Sequence, residues 1–164
     1  MSLFIISFAG FIIGIVLIAL LKNVAPPPPK EEIHFDNPDD KPVYLVDPDN
    51  FKDKCMEFLA KFNLEYRHSV WANDQELELD MHDETPVVGG KYLALCIINP
   101  RYNLVDMLKV KGFVDTVKGE GAARGIIITT GYFTPDAHKA IDGDPVELVN
   151  VTTFLTYLKK FDIY

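Results

Sequence analysis

The chain has 164 residues, of which 24 are acidic and 16 basic, and its formal net charge is -8. This length allows one domain of ordinary size, and the acidic balance argues against binding to nucleic acid, because lysine and arginine supply most non-specific affinity for phosphate. Two cysteines are too few for a disulfide framework, and the sequence has no CxxC or paired Cys/His spacing. Cys55 and Cys96 both lie among apolar residues and are therefore predicted to be buried thiols.

Residues 1–22 are predicted to be a transmembrane anchor. The uncharged run from Leu3 to Leu21 would extend about 30 Å as a helix, which matches the hydrocarbon thickness of a bilayer. No basic residue precedes the run, so it lacks the n-region of a cleaved signal peptide. The nearest positive charges, Lys22 and Lys30, follow the run and favour a single-pass protein with its C-terminal domain in the cytoplasm or on the equivalent side.

Gly10 and Gly14 form a GxxxG pattern inside this predicted span. Such spacing lets two helix backbones approach closely in a membrane, although two incidental glycines would give the same pattern. The expected partners are therefore the membrane itself and other membrane-protein subunits, contacted through the anchor helix and the domain.

Residues 23–48 are predicted to be a tether. The four consecutive prolines of residues 26–29 favour a stiff polyproline II spacer, and the acidic residues that follow keep the segment solvated. Recognition of the prolines by a partner is the alternative interpretation. The short apolar patch Pro42–Val46 is expected to dock on the domain or on a partner.

Residues 49–164 are predicted to form one α/β domain in the order α-β-β-β-α-β-α-β-α. Its first half has an amphipathic helix capped by Asp49 or Asn50 and ending near Phe62, followed by three strands. These strands are predicted at residues 64–71, 76–81 and 92–98.

The second half begins with a helix capped by Asn103, whose apolar stripe is predicted to be Leu104, Val105, Leu108, Phe113, Val114 and Val117. A buried β-branched strand is predicted at residues 125–130, a short helix at 134–141 with Pro135 in its first turn, and a last strand at 146–149. Asn150 or Thr152 is expected to cap the closing helix.

The C-terminal half resembles the Mrr-type restriction endonuclease domain, a member of the PD-(D/E)xK nucleases with a restriction-endonuclease-like core. The residues that carry the likeness are Thr129-Thr130-Gly131, Phe133, Thr134, Ala137, Ala140, Val146, Leu148, Val149, Asn150, Phe154 and Leu155. The resemblance covers about residues 51–161. Val151 stands where the family has a glycine.

This resemblance implies catalysis by an acid on the second strand and a Gln/Glu-x-Lys on the third. Carboxylates would hold Mg²⁺ against the scissile phosphate, and the lysine would assist the attacking water. Either Glu78 or Asp80 matches the acid, but Leu95 and Ile97 occupy the Gln/Glu and Lys positions. Lys91 and Arg101 are judged too far along the chain to replace the lysine.

We therefore expect no catalytic residue, no cofactor and no metal, and predict a catalytically silent accessory subunit of a membrane-associated complex. Two alternatives stay open. One is a membrane-anchored, Mg²⁺-dependent DNA endonuclease of the Mrr type that uses a migrated lysine. The other is a DNA-binding anchor that does not cleave. A basic surface near the edge of the third strand would favour either alternative, and an acidic or apolar surface would favour the silent subunit.

Overall fold

A computed structural model of the protein describes residues 41–87, 89–99 and 104–164. The elements are a 3-10 turn (Val43–Leu45), α1 (Pro48–Ala60), β1 (Leu64–Asn73), β2 (Glu76–Asp83), β3 (Gly90–Ile97), α2 (Met107–Gly119), β4 (Arg124–Thr129), α3 (Pro135–Lys139), β5 (Val146–Val149) and α4 (Val151–Lys160). From Pro48 onwards their order is the predicted one, and the 3-10 turn before it was not predicted. The α/β class is confirmed.

The five strands form one sheet in the order β1-β2-β3-β4-β5. β1, β2 and β3 run antiparallel as a meander, whereas β3, β4 and β5 are parallel. The switch from antiparallel to parallel pairing at β3 requires a crossover, which α2 supplies. β3 is therefore the middle strand, and helices cover it on both faces.

Two apolar cores lie on the two faces of the sheet. One packs α1 and α4 on the sheet, with Phe58 and Phe154 in an edge-to-face contact at 5.3 Å between ring centroids. The other packs α2 on Leu93, Leu95 and Ile97 of β3. Each fully buried side chain of this size contributes about 2 kcal/mol, so the alternating apolar residues of β3 fix both layers at once.

Both cysteines are free and buried in the first core, as predicted. Cys55 comes from α1 and Cys96 from β3, and burial raises the pKa of the Cys55 thiol, which hydrogen-bonds with Cys96. They contribute packing across the helix–sheet interface.

Each of the longer helices has a side chain that caps its N-terminus. The Asn150 side chain accepts a hydrogen bond from the Thr153 backbone N–H at 2.9 Å, which decides between the two predicted caps of α4. α1 begins earlier than predicted, because Asp47 is the cap and Pro48 occupies the first turn.

The predicted start of α2 is wrong. Val105 forms a bridge with Phe133, so the chain is still extended there and the helix begins only at Met107, capped by Asp106. As a result Leu104 and Leu108, expected in the apolar stripe, are 52% and 77% exposed. Asn103 lies outside the described residues.

The end of the predicted tether packs on the domain. Leu45 is fully buried in the first core, which decides between the two docking sites expected for the Pro42–Val46 patch. The predicted anchor, with Gly10 and Gly14, and residues 23–40 of the tether lie outside the described residues. Within the described residues no helix is long and apolar enough to cross a membrane.

Candidate functional site

The face of the sheet beneath α2 carries the positions that the family resemblance selected. Glu76, Glu78 and Asp80 alternate along β2 with buried apolar residues, so their side chains share this face. In the antiparallel register they lie opposite Ile97, Leu95 and Leu93 of β3, respectively. Directly paired residues project from the same face, so Glu78 lies opposite Leu95, and Asp80 lies one pair further along, opposite Leu93.

Leu95 and Ile97 belong to the apolar core. Their side chains are only 5% and 7% exposed, and they lie in one cluster with Val110 and Phe113 of α2. Neither side chain offers a donor or acceptor to a metal or a water. At these two positions β3 contributes side chains that pack in the core and no group that could bind a metal or a water.

Lys91 reaches the site, contrary to the sequence prediction. Its Nζ lies 3.2 Å from Oδ2 of Asp80 and 2.5 Å from Oε2 of Glu120. The contact with Asp80 is diagonal, because Lys91 pairs directly with His82 and Asp80 with Leu93. A long side chain can span such a diagonal. The number of residues between Lys91 and the family position on β3 does not reveal this contact. Arg101 lies outside the described residues.

The two carboxylates keep Lys91 charged. The hydrogen bond to Glu120, and secondarily the one to Asp80, raises the pKa of Lys91 above its usual value. An ammonium held in this way is a poor general base near neutral pH, because a base must be unprotonated at the moment of reaction. The side chains of this cluster are about one third to one half exposed, so the ion pairs add little stability.

Glu78 stands between two ion-paired acids. Glu76 contacts Lys109 of α2 at 2.7 Å, and Asp80 contacts Lys91. No hydrogen bond or ion pair is formed by the exposed Glu78 carboxylate with the rest of the described chain. Sequence reasoning missed Glu76 and Lys109, although the period-two spacing of acids at 76, 78 and 80 was a visible signal.

The residues present do not fit the Mg²⁺ site that the fold family implies. Mg²⁺ takes oxygen ligands in near-octahedral geometry, commonly from one or two carboxylates with substrate phosphates and waters. β3 contributes only hydrocarbon at its two family positions, and Asp80 is bound by a lysine. Across the described ranges no three His, Cys, Asp or Glu side chains form a group that could hold a metal ion.

A family model for the Mrr-type catalytic domain, described as a restriction endonuclease, matches residues 43–158. A search of curated proteins gives no significant match.

Two solved structures align with this chain. The DNA modification-dependent restriction endonuclease AspBHI aligns with a TM-score of 0.50 and 13% identity, over 82% of this chain and 40% of that protein. The MspJI restriction endonuclease, solved in complex with a 27-mer oligonucleotide, aligns with a TM-score of 0.47 and 18% identity, over 74% of this chain and 29% of that protein. The chain therefore spans less than half the length of either enzyme.

Restoring the family residue at position 95 tests whether this position is core. Leu95→Gln should lower the free energy of unfolding by about 3 kcal/mol, because the substitution removes apolar contacts and buries an amide. Val70→Gln, a 50% exposed position on the same face, should change it by less than about 0.5 kcal/mol. Urea unfolding can be followed by fluorescence of Trp71, the chain's only tryptophan. Equal stability of the two variants would contradict the assignment.

Proposed function

Because this chain belongs to the Mrr-type restriction endonuclease family, we propose that its domain keeps the family's fold without cleaving DNA and acts as an interaction module. In this role it is an accessory subunit of a membrane-associated complex. A fold of this kind hosts different functions, and function has to be argued from the site.

The observation that carries the proposal is the packing of Leu95 and Ile97 beneath α2. A metal bound here would lack a carboxylate from β3, and an attacking water would lack the family's lysine. Metal stabilisation of transition-state charge contributes several kcal/mol, and a loss of about 4 kcal/mol slows a reaction about a thousandfold. Two such losses on one strand remove the basis for the family's chemistry.

The charge around β3 supports the same conclusion. Glu76, Glu78, Asp80 and Glu120 surround the site, and the two lysines nearby, Lys91 and Lys109, are each held by one or two of these acids. A phosphate backbone is repelled by such a surface, because DNA affinity depends on free positive charge. A partner that is a protein meets no such obstacle.

The uncharged apolar run from Leu3 to Leu21 is the reason why we propose that the module lies beside a membrane. An uncleaved helix of this length holds the domain near the bilayer, and Gly10 and Gly14 allow close packing against a helix of another subunit. The domain would then work on the cytoplasmic or equivalent side.

A second function, Mg²⁺-dependent cleavage of DNA, is favoured by one specific contact. Lys91 and Asp80 meet on the correct face at 3.2 Å, so a lysine that has migrated along β3 does stand beside an acid of β2. In this alternative the pair would separate when metal and DNA bind.

Our prediction on topology is that the full chain stays in the membrane pellet under alkaline carbonate and is released only by detergent, because its apolar span is buried in lipid. Mass spectrometry of the extracted protein should show an N-terminus before Leu3. A mature protein that begins after residue 21 would refute the anchor.

For catalysis, we expect the detergent-solubilised full chain to leave supercoiled and single-stranded DNA intact with Mg²⁺ or Mn²⁺. The double variant Glu78→Ala/Asp80→Ala should give the same result, because neither acid has a metal to hold. The assay measures nicked and linear DNA against time on a gel.

The migrated-lysine alternative predicts a different outcome in that assay. Nicking by the parent that disappears in Asp80→Asn and in Lys91→Met would replace our proposal with the nuclease. An inert parent that binds DNA with a steep dependence on salt would instead indicate an anchor for DNA, because the slope counts neutralised phosphates.

A further inference from the structure

A groove runs between β2 and α2 on the face that carries the candidate site. It consists of two adjoining cavities of about 140 and 520 Å³ that share Glu78, Phe113 and Thr116 as lining residues. Along β2 it extends from Glu76 to Asp80, which is about 13 Å for a strand. Ion pairs mark both ends, Lys109 with Glu76 at one and Lys91 with Asp80 at the other.

The floor of this groove is apolar, and two exposed apolar side chains stand beside it. Leu93 and Leu95 of β3 and Phe113 of α2 line its interior. At its edges Leu108 is 77% exposed and Val70 is 50% exposed. Large apolar side chains beside a groove are characteristic of surfaces that another molecule covers.

The backbone of α2 is bare where it borders the groove. Gly112 lies inside the helix, and a Cβ added there would meet no heavy atom within 4 Å. A glycine in a helix interior costs about 1 kcal/mol relative to alanine, and it leaves room for a close approach to the helix backbone. The groove therefore has free space on its helical wall as well as on its floor.

The charge of the lining is acidic. Five carboxylates line the two cavities, belonging to Glu76, Glu78, Asp80, Asp106 and Glu120, whereas Lys109 is the one lysine in the lining. Among them Glu78 lies on the wall shared by both cavities and makes no ion pair with any described residue. Its carboxylate is the group that an incoming cation would meet.

We propose that this groove binds a cationic amphipathic segment of a partner protein, with apolar side chains on Leu95 and Phe113 and a lysine or arginine at Glu78. The inference rests on the proposed function, since it assigns the interaction surface of the same module. An acidic rim over an apolar floor complements a segment with basic and apolar sides, and it opposes the phosphates of DNA.

Two synthetic amphipathic helices test this directly, one of leucine and lysine and one of leucine and glutamate. Each is labelled and titrated with the full chain in nanodiscs of uncharged lipid, and fluorescence anisotropy gives the affinity. The leucine–lysine peptide should bind, and Glu78→Lys should weaken it about tenfold or more. The glutamate peptide should bind at least tenfold more weakly to the parent.

Gly112→Phe adds a ring at a position where an added Cβ meets no heavy atom within 4 Å, and it should also weaken binding of the lysine peptide about tenfold. Gly119→Phe is the matched control, because Gly119 ends the same helix, has open space around its Cβ and does not line either cavity. Lipid is identical in every sample, so a difference between the two variants reports the groove alone. Trp71 fluorescence verifies that both variants are folded.

Equal affinity of the lysine peptide for the parent and for Gly112→Phe would overturn the inference, and so would equal binding of the two peptides. If that happens while DNA remains uncleaved, the proposed function stands and only its binding surface is wrong. Cleavage of DNA by the parent would overturn both.

Discussion

The structure depends on the burial of β3 on both faces. Its residues alternate between the core under α1 and α4 and the core under α2, so every side chain from Leu93 to Ile97 has a packing role. The same strand is where the family resemblance expects its carboxylate and its lysine. Packing and catalysis compete for these positions, and in this chain packing occupies them.

This competition has a consequence for the neighbouring strand. β2 carries the acids Glu76, Glu78 and Asp80 on the face that the family resemblance selects, where no group of three metal-binding side chains forms among the described residues. Lys91 and Lys109 neutralise the two ends of the row, which leaves Glu78 between them. Together with Leu95 and Phe113, these acids line a groove with an apolar floor.

Periodicity and turn residues predicted most of the fold. Val146–Val149 has the predicted bounds, and the continuous apolar run of β3 was recognised as a buried strand, because a short apolar run between turn residues leaves few alternatives. The start of α2 was missed, since the bridge between Val105 and Phe133 joins segments that are distant in sequence. Long-range pairing of this kind overrides a helical pattern.

The site was predicted only in part, because some of its contacts also depend on pairing between residues that are distant in sequence. Leu95 and Ile97 were identified from the family resemblance, and the structure adds that they are core residues. The contact of Lys91 with Asp80 depends on the strand register, which places a lysine diagonally across from an acid eleven positions away. Neither that register nor the groove beside Gly112 can be read from local sequence.

We propose that this site binds no metal, and Mn²⁺ titration of the full chain tests that proposal most directly. Mn²⁺ shares the preference of Mg²⁺ for carboxylate oxygens and is detected by electron paramagnetic resonance. We expect no saturable binding of Mn²⁺, with the same titration curve for the parent and for Glu78→Ala/Asp80→Ala. Stoichiometric binding by the parent that is lost in the double variant would contradict it.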